Sequence, residues 1–289
     1  MFEYVVQQLR EIEDKLPSTP SRQEVLHSLQ ALPLTEFGLF LFSLPDSNFP
    51  KMSSALPRMA SEEVQKSWTG AAGAPLLKQS LDFVRCLSYD YSRITGSPLN
   101  GRKILDFGCG YGRISRLMYY FTDEENLTGV DPWARSIEIC FEAGLDKNFY
   151  ISDYLPTALP VSDTKFDVII AFSVFTHLSK RATITCLNTI TNYLAPKGVI
   201  IITVRPIEYW NIDRHANELG TVSRLKQSHQ ETGFAFSPHN GAPVDGEITY
   251  GDTSMTFEWV RQNFPNLRIA SIDRSLNDPY QIYVYLQKA

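Results

Sequence analysis

The chain has 289 residues, of which 43% are hydrophobic and 20% are charged, and its formal net charge is −5. These proportions are typical of a globular protein and exclude a disordered or fibrous chain. The acidic balance argues against a nucleic-acid partner, because phosphate backbones are bound by basic surfaces. The apolar runs are far shorter than the roughly 18 residues of a membrane span, so the sequence predicts no transmembrane segment.

The N-terminal residues alternate between acidic and apolar and lack the cationic start of a signal peptide, so we expect a cytoplasmic protein. The four cysteines, Cys86, Cys109, Cys140 and Cys186, lie far apart and form no Cys-x-x-Cys pair. This spacing favours reduced, buried thiols over a zinc site or a disulfide framework. We therefore expect no bound metal.

Residues 1–100 are predicted to form a helical cap or lid region. Apolar side chains recur at helical spacing along residues 2–16, and Ser21 begins a capping box for a second helix. Two more helices are predicted at about residues 61–68 and 75–94. Four prolines between residues 32 and 57 indicate an ordered but irregular connection. The apolar face of the first helix has no partner that the sequence identifies, which leaves a homodimer open.

From Lys103 onward, short apolar strands alternate with amphipathic helices. The predicted strands are KILDF, NLTGVD, FYISD, FDVIIAF and GVIIITV, followed by LRIASIDR and QIYVYLQK as an antiparallel pair. Such alternation is typical of a parallel sheet covered by helices on both faces, with ligands at the carboxyl ends of the strands. We therefore predict an α/β, Rossmann-like, doubly wound and mostly parallel seven-stranded sheet with an antiparallel last strand.

The sheet domain is predicted to span residues 101–289 and to contain an insertion at about residues 207–252. Long insertions in compact domains are often lids or binding loops. The histidines of this insertion are expected to be solvated. A helix is predicted near Thr253–Phe264.

The stretch ILDFGCGYGR places Gly108, Gly110 and Gly112 between a strand and a helix, with Asp106 just ahead of them. Backbone N–H groups at such a turn attract nucleotide ligands. The spacing Gly-x-Gly-x-Gly differs from the dinucleotide fingerprint. A carboxylate here would repel a pyrophosphate but attract a ligand that carries an ammonium and a sulfonium group. The charge pattern therefore favours S-adenosylmethionine over NAD.

Two further acids end the next two strands. Asp131 follows NLTGV, where it can accept the ribose hydroxyls, although NAD enzymes hold ribose in the same way. Asp153 follows FYIS, where it can accept from an adenine amino group, and a helix cap or turn is its alternative role. Cys109 has no base beside it and is interpreted as a small residue that fits a tight loop.

The segments ILDFGCGYGR, GVDP, ISDYLP and FDVIIAFSVFTHL resemble, in this order, the motifs of class I S-adenosylmethionine-dependent methyltransferases. The resemblance runs from about residue 102 to residue 204. It implies that the cofactor site contains Asp106, Gly108 and Gly110 at the methionine end, Asp131 at the ribose, Trp133, Ser152 and Asp153 at the adenine, and also Cys109, Pro132 and Ser173. Trp133 would lie against the adenine ring, with simple packing at a helix start as the alternative. Trp68 and Thr69, between two helices of the cap, would close over this site.

The acceptor has to be inferred from the mouth of the sheet. The fourth strand ends in Phe172-Ser173-Val174-Phe175, without the Asn/Asp-Pro-Pro-Tyr/Phe of base-amine methylation or a Pro-Cys nucleophile. His177 is the best candidate for a general base that removes a hydroxyl proton, and a histidine bonded to backbone is the alternative. Arg205 and Tyr280 are candidate acceptor-binding residues, with a surface ion pair as the alternative for Arg205.

The flanking segment LPRMASEEVQKSWTGAAGAPLLKQS, together with FGCGYGR and AFSVFTHLS, resembles bacterial methyltransferases of polysaccharide and glycolipid assembly. This resemblance implies methylation of a sugar or glycan hydroxyl, with S-adenosylhomocysteine as the product. The alternatives are a methyltransferase for another small molecule such as a natural product, a cofactor-binding interaction protein without transferase activity, and an NAD-dependent oxidoreductase.

Overall fold

The computed structural model describes residues 2–162 and 164–289. The helices of the N-terminal part are α1 (Glu3–Lys15), α2 (Arg22–Leu29), α3 (Leu34–Ser43), α4 (Pro50–Ala55), α5 (Glu62–Thr69) and α6 (Gly73–Thr95). The next elements are β1 (Ile104–Phe107), α7 (Arg113–Met118), β2 (Leu127–Asp131), α8 (Ala134–Glu142), β3 (Phe149–Ile151), β4 (Phe166–Ala171), α9 (Lys180–Asn192) and β5 (Leu194–Val204). The last are α10 (Arg214–Glu218), α11 (Val222–Thr232), β6 (Phe234–Pro238), β7 (Gly251–Met255), α12 (Phe257–Asn263), β8 (Leu267–Arg274) and β9 (Ile282–Lys288).

Seven strands form one sheet in the order β3-β2-β1-β4-β5-β9-β8. The first five strands pair in parallel, whereas β9 runs antiparallel to both β5 and β8. The central strands consist of apolar runs because helices cover both faces of a parallel sheet. This arrangement confirms the predicted Rossmann-like sheet with an antiparallel last strand.

The strand order reverses at β1, which has β2 on one side and β4 on the other. Loops that leave the carboxyl ends of β1 and β4 therefore diverge to opposite faces and open a crevice between them. The glycine loop follows β1, and the segment of Ser173 and His177 follows β4. The topology thus brings the predicted cofactor and acceptor residues to one edge of the sheet.

The second helix begins where the capping box predicted. The Ser21 side chain accepts from the backbone N–H of Glu24, and the Ser21 N–H donates to the Glu24 carboxylate at 2.8 Å. Gly96, in the left-handed conformation, ends α6. These local signals were sufficient because each depends on residues within one turn of the helix.

The prediction of an irregular connection at residues 32–57 is wrong, because this segment contains α3 and α4. Pro33 precedes the first turn of α3 and Pro50 lies within the first turn of α4, where a missing N–H leaves no helical hydrogen bond unmade. Phe37 and Phe40 of α3 are fully buried. The helix is therefore apolar on several sides and lacks the amphipathic pattern of a surface helix.

The cap and the sheet share one hydrophobic core. A single cluster of buried side chains extends from Val5 and Leu9 in α1 to Tyr285 in β9. Phe83 of α6 contacts the ring of Phe172 at the end of β4, with ring centroids 4.4 Å apart. The cap thus packs directly against the edge of the sheet where the candidate site lies.

The segment after β5 forms a short 3₁₀ turn (Ile207–Asn211), two helices and the hairpin β6-β7. Trp210 is fully buried and its indole N–H donates to the Ser254 hydroxyl at 2.7 Å. The helix predicted from Thr253 begins only at Phe257, because residues 251–255 pair with β6 as a strand and Thr256 caps the helix. Within residues 2–162 and 164–289, no helix combines the length and apolar character that a membrane span requires.

Candidate cofactor and acceptor site

The glycine loop between β1 and α7 requires glycine at two places for different reasons. Gly108 has φ +71°, and a Cβ there would lie 2.4 Å from a methyl group of Val174. Gly110 has φ +55° and open space where a side chain would begin, while its N–H donates to the Asp131 carboxylate at 2.9 Å. The loop therefore presents bare backbone on one side and is fixed to the end of β2 on the other.

Asp106, at the carboxyl end of β1, lies beneath this loop and is 3% exposed. Its carboxylate accepts from the Ser115 hydroxyl at 2.6 Å. Burial raises the pKa of Asp106 to about 6, although the Ser115 hydrogen bond and the charge of Arg113 oppose the rise. A cationic ligand beside it would stabilise the ionised carboxylate.

Asp131 joins the end of β2 to the glycine loop. One carboxylate oxygen accepts from the Gly110 N–H and the other from the Trp133 N–H, both at 2.9 Å. Burial raises the pKa of Asp131, and these two backbone hydrogen bonds oppose that rise. Each oxygen keeps a second lone pair, so the carboxylate can still accept from a pair of ribose hydroxyls.

The residues predicted at the adenine differ in exposure. Ser152 is 7% exposed, and its hydroxyl has no hydrogen-bond partner among residues 2–162 and 164–289. Asp153 is exposed at the rim of the site. The buried Ser152 hydroxyl therefore has an unused hydrogen-bonding capacity, as expected of a group that binds a ligand atom.

An aromatic contact connects the cap to the end of β2. The indoles of Trp68 and Trp133 stack with centroids 4.5 Å apart, and Trp68 also lies 5.6 Å from the ring of Tyr111 in the glycine loop. The hydroxyl of Thr69 donates to the Gln65 carbonyl at 2.6 Å, which secures the end of α5. Of the two cap residues predicted to cover the site, Trp68 contacts it directly and Thr69 holds the helix end.

The end of β4 contains an unusual backbone conformation. Ser173 has φ +61°, its N–H donates to the Thr203 hydroxyl at 2.7 Å, and its hydroxyl accepts from the Gln281 amide at 3.0 Å. The amide oxygen of Gln281 is buried and has no partner within the described residues. Tyr280, next to it, lies 6.2 Å from the ring of Tyr209. Strained backbone of this kind tends to persist at ligand sites.

His177 has both ring nitrogens engaged. Nδ1 lies 2.8 Å from the Gly251 carbonyl oxygen and Nε2 lies 3.2 Å from a guanidinium nitrogen of Arg205. Since carbonyls only accept and guanidinium only donates, Nδ1 carries the proton and Nε2 accepts. Burial and the charge of Arg205 lower the pKa of His177 to about 4. His177 could remove an acceptor proton only after Arg205 moved away, so its predicted role as a base stays a prediction.

Arg205 and Asp252 form an ion pair in which the side chains are only 9% and 7% exposed. Arg205 also donates to the Thr176 carbonyl at 2.9 Å and stacks 3.9 Å above the ring of Tyr209. Burial opposes the ionisation of Asp252, but Arg205 and two neighbouring histidines hold its pKa below the usual value. The alternative of a surface ion pair for Arg205 therefore does not fit, because the pair is buried.

The prediction that the histidines of the insertion are solvated is wrong for the buried His229, whereas His239 is 34% exposed. His239 Nε2 bonds to the Asp252 carboxylate, and His229 is buried with Nδ1 2.8 Å from the Ser254 hydroxyl. The ring of Tyr250 stacks on that of His177 at 5.3 Å. The hairpin β6-β7 brings these groups to the ends of β4 and β5. In the part of the chain that the structure describes, no three His, Cys, Asp or Glu side chains are placed to hold a metal ion.

Sequence reasoning also missed Arg113, the first residue of α7. It is 9% exposed, donates to the Gln79 amide oxygen at 2.6 Å and lies 5.1 Å from the centre of the Phe172 ring. A basic residue is unfavourable at a helix N-terminus, so its position directly behind the glycines was a usable signal.

The comparisons with known proteins concern mainly the first half of the sheet. Residues 104–198 match the family model of a methyltransferase domain. The mitochondrial ubiquinone biosynthesis O-methyltransferase of Mus musculus is 34% identical over 115 residues, which cover 37% of this chain and 30% of that protein. An uncharacterised protein of Rickettsia prowazekii is 30% identical over 139 residues, which cover 47% of this chain and 53% of that protein. The chain thus spans about half or less of the length of these curated relatives.

Two solved structures of methyltransferases are similar at a low level. The magnesium protoporphyrin IX methyltransferase of Synechocystis has 15% identity and a TM-score of 0.47, with 74% of this chain and 86% of that chain covered. An S-adenosylmethionine-dependent methyltransferase of Clostridium acetobutylicum has 14% identity and a TM-score of 0.46, with 73% and 91% covered. Because both scores are low, the assignment rests on the family match and the strand order. Residues 104–198 therefore match a methyltransferase domain and lie on the predicted sheet, in agreement with the predicted enzyme class.

Proposed function

We propose that the whole protein is an S-adenosylmethionine-dependent methyltransferase that methylates a hydroxyl group of a sugar or glycan. The observation that carries the proposal is the pair of buried carboxylates, Asp106 and Asp131, that flank an open glycine loop inside the matched segment. Two buried carboxylates favour a cationic adenosine ligand and disfavour a pyrophosphate. Asp106 and the loop backbone would hold the methionine end, Asp131 the ribose and Ser152 the adenine.

The acceptor is proposed from the groups around His177. Tyr250 is 54% exposed while its ring stacks on His177, and Tyr280 lies near Tyr209. The charge of Arg205 is neutralised by Asp252. A mouth of aromatic rings and hydrogen-bonding groups around a neutralised cation suits an uncharged polyhydroxy ring better than a phosphate.

The chain's residues would orient the acceptor and remove its proton. When bound, S-adenosylmethionine supplies an activated methyl group on sulfur, and the electron pair of the broken C–S bond stays on the sulfur. His177 is one candidate for the base. His239 is a second, because its Nε2 donates to ionised Asp252, so that in the neutral ring Nδ1 is the nitrogen that can accept a proton. Its side chain is 34% exposed and, unlike that of His177, is not hydrogen-bonded to Arg205.

A second candidate acceptor is the hydroxyl of a phenol. The ubiquinone biosynthesis O-methyltransferase of mouse is 34% identical over the aligned 115 residues. Aromatic side chains at the mouth would stack on a phenolic ring as well as on a sugar. The two acceptors differ in acidity, since a phenol ionises near pH 10 and needs a weaker base than an alcohol.

The test is transfer of isotope from methyl-labelled S-adenosylmethionine. Methyl glycosides of common hexoses and catechol would be offered separately, and the products identified by mass spectrometry and NMR. O-methyl sugar is the expected product, and O-methyl catechol alone would support the second candidate. Label on protein side chains, with no O-methyl product, would contradict both. Calorimetry with S-adenosylhomocysteine and NADH separates the oxidoreductase alternative, which predicts binding of NADH alone.

A further inference from the structure

Arg113 is a buried cation in the candidate cofactor site that pairs with no carboxylate of the described residues. Its guanidinium donates to the Gln79 amide oxygen at 2.6 Å and approaches the Ser80 hydroxyl at 3.4 Å. It also lies over the face of Phe172, and the charges of Asp106 and Asp278 act on it although neither carboxylate forms an ion pair with it. By contrast, the buried Arg205 is paired directly with Asp252. A buried charge without a carboxylate in contact is costly, and two neutral hydrogen bonds compensate it only in part.

Tyr111 adds a second donor to the same wall. Its side chain is 2% exposed, and its hydroxyl has no hydrogen-bond partner within residues 2–162 and 164–289. The phenol and the guanidinium are close enough to interact electrostatically. The hydroxyl of Thr69 is nearby but donates its proton to backbone carbonyls. Within the described residues, the phenol hydroxyl therefore has no hydrogen-bond partner and the guanidinium has no carboxylate in contact.

We propose that Arg113 and Tyr111 bind the α-carboxylate of the cofactor's amino-acid end. This inference rests on the proposed function. S-adenosylmethionine carries a carboxylate besides its ammonium and sulfonium groups, and Asp106 can offset only the cations. A carboxylate accepts from both donors at once and neutralises Arg113, and such charge-assisted bonds are among the stronger ones in proteins. The site then distinguishes adenosyl thioethers that carry an amino acid from those that do not.

The experiment compares two ligands that differ in this group. S-adenosylhomocysteine has the carboxylate, whereas 5′-methylthioadenosine has the same adenosine and thioether but no amino acid. Their affinities would be measured by calorimetry for the wild type and for Arg113→Met, which keeps the side-chain length against Phe172. We expect Arg113→Met to weaken S-adenosylhomocysteine binding about 10- to 100-fold and to change methylthioadenosine binding by less than about twofold.

Two further variants test the same inference if Arg113→Met folds poorly. Tyr111→Phe removes one hydroxyl and should weaken S-adenosylhomocysteine alone, by about 3- to 10-fold. Arg113→Lys keeps the charge and should recover part of the loss. Arg135→Met on α8, where Arg135 pairs with Glu142 at the surface, is the matched control and should change neither affinity.

The outcomes separate the two claims. Wild-type protein that binds neither ligand overturns the proposed function and this inference with it. Wild type that binds S-adenosylhomocysteine, with Arg113→Met and Tyr111→Phe equally tight, overturns the carboxylate site alone. Equal weakening of both ligands would also overturn it, because the two residues would then support the adenosine pocket rather than the carboxylate.

Discussion

Asp106 should couple cofactor binding to proton release. Its pKa of about 6 in the folded protein lies above the roughly 3.9 of an unfolded aspartate, so the ligand-free folded state binds an extra proton between these values. The free energy of unfolding of the ligand-free protein should therefore fall as the pH rises through this window. A cationic ligand favours the ionised carboxylate, so binding at pH 6 should release about half a proton per protein molecule.

The measurement is calorimetry of S-adenosylhomocysteine binding at pH 6 in buffers of different ionisation enthalpy. A buffer-dependent heat shows proton release from the wild type, and the same dependence should be much smaller in Asp106→Asn. If Asp106→Asn retains the full buffer dependence, another group titrates and the assignment of Asp106 is wrong.

His177 should make the protein less stable in mild acid. Its folded pKa of about 4 lies below the unfolded value of about 6.5, so the unfolded chain binds more protons in between. The stabilisation is complete above pH 6.5 and is lost as the pH falls toward 4. Between pH 7 and pH 5, protonation of His177 in the unfolded chain should lower the free energy of unfolding by up to about 2 kcal/mol. His177→Gln should abolish this part of the pH dependence. Urea unfolding at both pH values checks this, and an unchanged pH dependence would contradict it.

Among the secondary-structure elements, the turn between β1 and α7 should tolerate an added methyl group poorly. Gly108→Ala combines a left-handed backbone with a Cβ that would lie 2.4 Å from Val174. We expect a loss of about 3 kcal/mol or more in stability and a loss of S-adenosylhomocysteine binding. Adding Val174→Ala should relieve the clash but not the backbone strain of about 1 to 2 kcal/mol.

Gly220→Ala is the matched control for the backbone alone. Gly220 has φ +64° with nothing within 4 Å of a built Cβ, so its substitution should cost only the strain of about 1 to 2 kcal/mol. Thermal and urea unfolding of the single and double variants separate the two contributions. Equal costs for Gly108→Ala and Gly220→Ala would mean that Val174 does not limit the loop.

The sequence predicted those elements whose signals are local. The buried strands β4 and β5 were recognisable as continuous apolar runs, and α2 and α6 as capped helices. The segment with α3 and α4 was misread because proline at a helix start and proline in a loop look alike along the chain. The position of the hairpin β6-β7 at the sheet edge was missed because its contacts there are distant in sequence: the His177 ring bonds to the Gly251 carbonyl, 74 residues later.

The residues of the candidate site also divide into those with a local sequence signal and those without one. Asp106, Asp131 and the glycines were found because strand ends can be located from the strands themselves. Asp252 and His239 were not found, since polar residues in an insertion carry no sign of the sheet edge to which they fold. Arg113 had a signal, its adjacency to Gly112, but only the structure shows that its charge is buried.

At the scale of the whole molecule, the cap and the sheet should unfold together. Phe83 joins them, because its ring contacts Phe172 after β4 and lies 5.2 Å from that of Tyr283 in β9. Phe83→Ala should lower the free energy of unfolding by about 3 to 5 kcal/mol. Phe141→Ala, at a position that is 49% exposed, should change it by less than about 1 kcal/mol.

Urea titrations followed by circular dichroism and by tryptophan fluorescence give the readout. Trp68 and Trp133 report on the cap and the site, and Trp210 and Trp259 report on the later segment, so one coincident transition is expected from single-tryptophan variants. A midpoint for Trp68 that differs from the midpoints of the other three tryptophans would show that the cap unfolds by itself.

The contact between Trp68 and Trp133 also bears on how often the cofactor can exchange. One indole belongs to α5 and the other stands after β2, and on the proposed assignment the adenosine lies beside them. α5 is eight residues long and buries only Gln65, so lifting it costs far less than unfolding the chain. Spent and fresh cofactor would then exchange only as often as this short helix lifts, and that frequency would be the ceiling on turnover.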